Sequence, residues 1–425
     1  MAAQYGWTID IMRPGACPYY RIQVPTSQMT RLGLVDWFVD KGGTRNSNIA
    51  LTHANYALFY AWAGTRALHR IQTLKEIRPN VRQGNDIYPP TIFYDHDDNN
   101  DFVHPFNSAY LTMGTRDMNG YLLEPGEGLV VPLGNGKVTE IVDGKTHDEN
   151  VVFDIERNLF DMKVRHEIIR ECHGVTAASP VLARYFKDVI GAQATHFFPN
   201  TIVPEDYEDH EIVRKDDSIR ILWQGGQSHL PDWYPLKDAL GTICKKYPNV
   251  KIVLFGEYFS WIHDVIPDGQ IEHHQWSPYE AYKLKRGLLN IDINLCPLVD
   301  NLFNRCKSAI KWYESVVWRR PEATLAANVG PYQEIKDGET GLLYDTPEEF
   351  VQKLSRLIES PDLRAALGQQ AKRWVMQHRT PQATIPALHE FYSECRARHT
   401  RDLGKPSIVK PSYADIKRLG TPIKR

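Results

Sequence analysis

The sequence lacks long apolar runs, and none of its hydrophobic stretches approaches the roughly 20 residues that a membrane-spanning helix needs. Its N-terminus, MAAQYGW, lacks the basic and then apolar pattern of a secretory signal peptide. The six cysteines are scattered without a C-x-x-C pair, which argues against a disulfide framework or a zinc site. These absences favour a soluble protein of the reducing cytoplasm.

The chain also lacks an excess of charge of either sign. Its formal net charge is −2, so the overall charge indicates no partner. Hydrophobic residues make up 42% and charged residues 24%, which is the composition of a folded protein and not of a disordered one. A chain of 425 residues is too long for one ordinary domain and suits two domains of about 200 residues each.

Strand and helix patterns alternate along the sequence, which predicts an α/β fold with parallel sheets in two Rossmann-like domains. We place the first domain at 1–200, with a glycine-rich, β-hairpin insertion at about 110–155. The second domain is expected at 201–380. A C-terminal helix at 381–399 is expected to pack back toward the first domain, and 400–425 is expected to be a weakly ordered basic tail.

The most informative feature is a Lys-Ser pair that follows the buried strand IDINL. We predict that Lys307 and Ser308 begin a helix over 307–318, at the strand ends where doubly wound sheets bind ligands. Backbone N–H groups, the helix dipole and a lysine together make a diphosphate site. Glu314 follows near the same helical face, where it could accept hydrogen bonds from a ribose. The alternative is that Lys307 and Lys311 are solvated charges paired with Glu314.

A second glycine-bearing loop follows the strand IRILW, which begins the second half. Gly225, Gly226 and Ser228 lie in this loop, and its glycines would let the backbone approach phosphate. Trp276 precedes another predicted helix and could pack near the nucleotide base. A lone tryptophan is more often part of the core, so that alternative stays open.

Polar residues also follow strands in the first half. Gly15 could let its loop approach the donor phosphates, and Arg21 could bind a phosphate, with a surface salt bridge as the alternative. Asp97 and Asp98 follow the strand TIFYD and could orient or deprotonate an acceptor hydroxyl. The alternatives for this acidic pair are a divalent metal site or an exposed turn. We expect no metal.

The run KSAIKWYESVVWRRPEATLAANVGPYQEIKDGETGLLY resembles the nucleotide-sugar signature of retaining GT-B glycosyltransferases of the group 1, or family 4-like, type. The end of the signature, a glutamate with spaced glycines, is matched by Gly330, Glu334, Gly338 and Gly341. Glu314 matches the ribose-binding glutamate of the family. The pattern departs from the family eight residues before Glu314, where a cysteine replaces a glutamate that often contacts the donor sugar. Glu322 has the family's spacing from Glu314, but we interpret that as a coincidence.

The resemblance implies two Rossmann-like domains facing across a cleft, with the acceptor on the first. It implies transfer of a hexose with retention from a nucleotide sugar, first of all a UDP-sugar, to a hydroxyl of a polysaccharide or other glycan, with no required cofactor. Lys307, the Ser308 amide and Arg21 would stabilise the leaving diphosphate.

Three alternatives remain beside that interpretation. One is transfer of the sugar to modified bases of DNA. The tail from Arg396 onward holds nine basic and two acidic residues and would bind the DNA as a polyanion. Another is a protein that binds nucleotide sugars without transferring them. The third is a nucleotide-sugar epimerase of the same fold, for which donor turnover without an acceptor would be evidence.

Overall fold

The computed structural model describes residues 4–9, 15–40, 51, 54–61, 63–76, 89–105, 107, 109–117, 119–124, 129–132, 138–141, 153–207 and 216–403. The strands in these ranges are β1 (Tyr5–Ile9), β2 (Asp36–Asp40), β3 (Tyr56–Tyr60), β4 (Thr91–His96), β5 (Leu129–Pro132), β6 (Val138–Ile141), β7 (Gly174–Ala177), β8 (Thr195–Phe197), β9 (Ile219–Gly225), β10 (Val250–Gly256), β11 (Ile271–Gln275), β12 (Ile293–Cys296), β13 (Ala323–Ala327) and β14 (Leu342–Tyr344).

The α-helices in the same ranges are α1 (Ala16–Pro18), α2 (Val24–Arg31), α3 (Thr65–Lys75), α4 (Tyr110–Met113), α5 (Ile155–Glu171), α6 (Pro180–Arg184), α7 (Leu230–Trp233), α8 (Lys237–Lys246), α9 (Tyr279–Leu288), α10 (Leu302–Arg305), α11 (Ile310–Ser315), α12 (Pro347–Glu359), α13 (Pro361–His378) and α14 (Pro381–Asp402). No helix in the described part of the chain is both long and apolar enough to cross a bilayer.

The first of two compact units comprises Met1–Asp98, Asp161–Thr201 and Pro381–Arg425. Its six strands are all parallel, in the order β2-β1-β3-β4-β7-β8. All six residues of β4 are buried, which is typical of a parallel strand covered on both faces. The apolar run TIFY in this strand is therefore explained by its place inside the sheet.

The last helix, α14, belongs to the first unit although the second unit precedes it in the chain. Its Leu388 and Tyr392 lie in one apolar cluster with Tyr56 of β3 and Phe93 of β4. The ring centroids of Phe93 and Tyr392 are 4.1 Å apart. The chain thus returns to cover the first sheet, while the tail expected at 400–425 lies outside the described residues from 404 onward.

The second unit comprises Asn99–Phe160 and Ile202–Thr380. Its parallel sheet has the order β11-β10-β9-β12-β13-β14. Numbered within this sheet, the order is 3-2-1-4-5-6, as in a dinucleotide-binding fold, and it reverses between β9 and β12. The predicted α/β fold with two parallel sheets is confirmed.

The sequence placed the β-rich insertion on the first domain, whereas the structure groups residues 99–160 with the second unit. The insertion includes an antiparallel hairpin of β5 and β6. In the same segment, Val103, Tyr110 and Phe153 form an apolar cluster that includes Phe303 of α10. Burial of these side chains against Phe303 attaches the segment to the second unit, a contact made by residues 150 to 200 positions apart that periodicity does not reveal.

Candidate functional site

The strand order of the second unit singles out the carboxyl ends of β9 and β12, because ligands bind where the order reverses. Gly225 ends β9, and the neighbouring β10 ends at Gly256. Gly256 has a φ of +113°, and a Cβ added there would lie 2.4 Å from the carbonyl oxygen of Gly225. The two strand ends therefore approach as closely as only glycine permits.

The glycine loop also lies close to a partly buried lysine, Lys311. A Cβ added at Gly225 would lie 2.9 Å from the Trp223 ring, 3.0 Å from the His229 ring and 3.3 Å from Nζ of Lys311. Gly226 is exposed, with no atom within 4 Å of an added Cβ, and Ser228 is partly exposed in the 3-10 turn Gln227–His229. The loop backbone thus lies beside a cation while its outer side is open.

Lys311 is the last member of a chain of three polar side chains that the sequence did not predict. Asp232 Oδ2 lies 2.7 Å from His229 Nδ1, and His229 Nε2 lies 3.1 Å from Lys311 Nζ. Asp232 Oδ1 accepts hydrogen bonds from the Val299 N–H (2.9 Å) and from the Asn304 side-chain amide (2.7 Å). One carboxylate therefore ties together the loops after β9 and β12 and the short helix α10.

Burial and neighbouring charge set the protonation of this chain. Burial, with the charges of Lys307 and Lys311, lowers the pKa of His229 to about 3, so the ring is neutral at pH 7. Burial and the Lys307 charge also lower the pKa of Lys311 to about 8. Burial alone would raise the pKa of Asp232, but the hydrogen bond from His229 and the charge of Lys307 outweigh it and lower the pKa. The result is an anionic carboxylate, a neutral imidazole and a lysine that titrates just above neutrality.

The predicted helix over 307–318 is wrong in its start and its end. The helix is α11, which begins at Ile310 after the N-cap residue Ala309 and ends at Ser315. Lys307 and Ser308 lie before it, in the connection that follows α10. The reason is local: the side chain of Asn301 accepts a hydrogen bond from the Asn304 N–H (2.8 Å) and caps a separate four-residue helix.

Lys307 nevertheless lies close enough to the three polar side chains for its charge to lower the pKa values of His229 and Lys311. The Lys307 ammonium lies 4.8 Å from the centroid of the Phe303 ring and is partly exposed. The Ser308 hydroxyl is buried and has no hydrogen-bond partner among the residues that the structure describes. A buried hydroxyl without a partner is costly, and a ligand oxygen could supply one.

Glu314 lies on α11 in a buried polar cluster, with only 4% of the residue exposed. Its Oε1 accepts from the Tyr279 hydroxyl (2.9 Å), and its Oε2 accepts from the Gln224 amide (3.0 Å). The Tyr282 hydroxyl lies 2.9 Å from the same Oε2 and 2.6 Å from Gln224 Oε1. The carboxylate thus already has protein donors, and a ribose at Glu314 would have to replace the tyrosine hydroxyls.

Glu322, which has the family's spacing from Glu314, is buried in an ion pair with Arg286. Burial raises the pKa of Glu322 to about 7 despite that pair. Arg286 also donates from Nε to Gln224 Oε1 (3.2 Å), so its guanidinium joins this pair to the cluster around Glu314. These are structural contacts within the second unit.

Trp276 lies at the surface, with 63% of the residue exposed, between β11 and α9. The alternative that it belongs to the core is therefore wrong. Gly330, from the family signature, has a φ of +55°, and a Cβ there would lie 2.8 Å from the Asn304 carbonyl oxygen. This glycine lets its loop pack against α10. Glu334 accepts from the hydroxyl of Tyr313 and from Arg379 (2.9 Å), so its carboxylate also serves packing.

Arg21 in the first unit is fully buried and bound to protein groups. Its Nε and Nη2 donate to the two oxygens of Asp95 (2.7 and 2.6 Å), and its Nη1 donates to the Phe198 carbonyl (2.6 Å) and to Asn200 Oδ1 (3.1 Å). Its side chain is 0% exposed. The ion pair is therefore not the surface salt bridge considered from the sequence, and the guanidinium presents no exposed N–H to a phosphate.

Asp97 and Asp98 follow β4 at its carboxyl end, and both are partly exposed. The Tyr60 hydroxyl donates to Asp97 Oδ1 (3.1 Å), and His96 Nδ1 accepts from the Asp97 N–H (3.0 Å). Burial would raise the pKa of Asp97, but His96 and other neighbours outweigh it and hold the pKa at about 2. Such a carboxylate can orient a hydroxyl but is a weak base. Gly15, in extended backbone, is the N-cap of α1.

Solved structures with this fold include HepE (Alr3699) of Anabaena in complex with UDP-glucose, which is 11% identical, with a TM-score of 0.57 over 92% of this chain and 100% of its own. A glycosyltransferase from Rickettsia africae ESF-5 is 10% identical, with a TM-score of 0.54 over 92% of this chain and 98% of its own. These likenesses show the shared two-unit α/β fold. No protein-family model matches the sequence, and no curated protein matches it.

Proposed function

We propose that this chain is a glycosyltransferase whose second unit binds a nucleotide sugar, first of all a UDP-hexose, at the ends of β9 and β12. One observation carries the proposal: Lys311 is held beside the Gly225 backbone by His229, and Lys307 lies four residues before it. Two cations and a glycine loop at the switch point of a doubly wound sheet suit a diphosphate. HepE, crystallised with UDP-glucose, has the same fold and supports UDP as the nucleotide.

We assign the remaining donor contacts by the groups that each residue offers. Gly226 and Ser228 face the diphosphate from the loop, and the buried Ser308 hydroxyl meets a phosphate oxygen. Trp276, exposed beside α9, is available to stack on the base. Glu314 receives the ribose hydroxyls in place of its tyrosine donors.

The transfer step needs few groups. The bond between the anomeric carbon and the diphosphate oxygen breaks, and a bond to the acceptor oxygen forms on the same face, which retains the configuration. The departing diphosphate oxygen takes the acceptor proton, so no protein nucleophile is required. Lys307 and Lys311 stabilise the charge that develops on the diphosphate, and ammonium groups already in place do so most effectively.

The acceptor is a glycan hydroxyl bound by the first unit. Asp97, already ionised and held by Tyr60, orients that hydroxyl, and Asp98 offers a second carboxylate. Arg21 contributes indirectly, because its buried ion pair with Asp95 fixes the end of β4 two residues before Asp97. Gly15 precedes the helical segment that carries Arg21.

Calorimetry with UDP tests the site. Lys307→Ala, Lys311→Ala and Glu314→Ala should each weaken UDP binding by about 5- to 150-fold, since a charge-assisted hydrogen bond contributes about 1–3 kcal/mol. Lys336→Ala is the matched control, because Lys336 also lies in the second unit but is 67% exposed and pairs only loosely with Glu339 (3.8 Å). Unchanged UDP affinity in all three variants would defeat the assignment.

Product analysis tests the reaction. NMR of the product formed from a UDP-α-hexose should show an α-linked sugar, and a β-linked product would contradict retention. Release of UDP that depends on an added glycan supports transfer. Donor turnover at full rate without any acceptor would favour an epimerase or a hydrolase instead.

A further inference from the structure

The hydrogen bonds that join Asp232, His229 and Lys311 all donate in one direction, from Lys311 toward Asp232. A carboxylate can only accept, so the Asp232 oxygen 2.7 Å from His229 Nδ1 requires the proton on Nδ1. The opposite nitrogen, Nε2, is then an acceptor, and the Lys311 ammonium donates to it across 3.1 Å. A neutral imidazole is thereby held in one tautomer by its anionic neighbour.

This direction matters for Lys311 because a lysine side chain is long and flexible. The ammonium has three N–H bonds, and the bond to His229 orients it and leaves two for other acceptors. The side chain also lies over the Trp223 ring (5.7 Å), and His229 Nε2 is the hydrogen-bond partner of its ammonium group. An ammonium buried without such a partner would be costly.

We propose that Asp232 and His229 are positioning residues, which hold the Lys311 ammonium toward the leaving diphosphate of the donor. The inference rests on the proposed function, and it assigns to that site two residues without direct contact with the nucleotide. Asp232 also binds Val299 and Asn304, so the carboxylate fixes the loops around Lys311 as well as its orientation.

Asp232→Asn separates these two roles. The amide oxygen can still accept from Val299 and Asn304, so the loops keep their anchor. The amide nitrogen, however, donates to His229 Nδ1 and moves the ring proton to Nε2, where an N–H then faces the Lys311 ammonium. We expect about tenfold weaker UDP binding by calorimetry at pH 7, with the fall in UDP affinity at alkaline pH beginning about one pH unit lower than in the unmodified chain.

A double-mutant cycle decides whether Asp232 acts through Lys311. In the Lys311→Ala background, Asp232→Asn should change UDP affinity by less than twofold. The proposal is overturned if the losses of UDP affinity in the two single variants multiply in the double variant and the fall in UDP affinity at alkaline pH does not shift. Asp232 would then have only a structural role. Thermal melting without ligand shows whether Asp232→Asn folds. His229→Ala is the second variant, and it keeps the hydrogen bond from the Val299 N–H to Asp232. In the Lys311→Ala background it should also leave UDP affinity unchanged.

A measurement without nucleotide keeps this inference distinct from the proposed function. The ¹⁵N shifts of selectively labelled histidine should show His229 protonated at Nδ1 and unprotonated at Nε2. The opposite tautomer overturns the positioning role even if UDP binds. If the tautomer is as expected but neither Lys307→Ala nor Lys311→Ala alters UDP affinity, both the donor site and the role of Asp232 toward it are refuted.

Discussion

Replacing His173 and His399 with asparagine should make the first unit less sensitive to acid. The ring centroids of the two histidines are 3.9 Å apart. His173 Nδ1 accepts from the Ile92 N–H (2.9 Å), and His399 Nδ1 lies 3.0 Å from the Thr91 hydroxyl. Protonation of His173 at Nδ1 would break the first bond and place a charge against the second ring.

The charged groups around this pair oppose protonation. Burial, then the neighbouring ring and the cations Lys75, Arg396 and Arg398, lower the pKa of His173 to about 3. Burial and Arg396 lower the pKa of His399 to about 4, although Asp402 acts in the opposite direction. Glu171 forms an ion pair with Lys75 and so offsets the charge of Lys75, but it forms no ion pair with Arg396 or Arg398 within the described ranges of the chain.

The magnitude follows from linkage. Histidine in the unfolded chain has a pKa of about 6.5. As the pH falls below that value, His173 and His399 bind protons in the unfolded chain but stay neutral in the folded unit. Stability is therefore full above pH 6.5 and declines toward the folded pKa values. Between pH 7 and pH 5 the two rings would cost about 4 kcal/mol, which we halve to about 2 kcal/mol because both are partly exposed.

Thermal melting at pH 7 and pH 5 tests this reasoning. Asparagine keeps an oxygen near the position of Nδ1 and cannot titrate, so the double variant should lose less stability on acidification than the unmodified chain. For a unit of this size, the difference of about 2 kcal/mol corresponds to a shift of the melting temperature of about 4–8 °C. His69→Asn is the control, since His69 is a histidine of α3 outside this pair. Equal acid sensitivity in the chain and the double variant would refute the reasoning.

Three further outcomes follow from the geometry. Gly256→Ala should lower the melting temperature and weaken UDP binding, because its Cβ would meet the Gly225 carbonyl at a φ of +113°. Arg21→Ala should destabilise the first unit by about 3–5 kcal/mol in urea denaturation, because it leaves the buried Asp95 without its ion pair. Trp276→Ala should weaken UDP binding in calorimetry without changing the melting temperature, since its ring is exposed; equal affinity would exclude the ring from the base site.

The two parallel sheets could be predicted from the sequence, because buried strands and amphipathic helices have distinct periods. The place of Lys307 and Ser308 in the chain after a buried strand, here β12, follows from the same pattern. The start of α11 could not be predicted as easily, because the N-cap at Asn301 begins a separate short helix, α10, which ends at Arg305 before α11 begins. Asn and Arg residues around a four-residue helix give little periodic signal.

The chain of Asp232, His229 and Lys311 was missed because its parts come together only in three dimensions. His229 and Asp232 are three residues apart in a turn after the glycine loop, which is the one local signal that could have found them. Lys311 lies 82 positions from His229, and its partner depends on β12 lying beside β9. The insertion was misplaced for the same reason, because its contact with Phe303 spans the sequence.

The most direct measurement is a crystal structure of the chain with UDP bound. We expect diphosphate oxygens within about 3 Å of the Lys311 ammonium, beside the Gly225–Gly226 backbone, with His229 still between Lys311 and Asp232. A diphosphate bound away from Lys311 and from the glycine loop would contradict the proposed donor site.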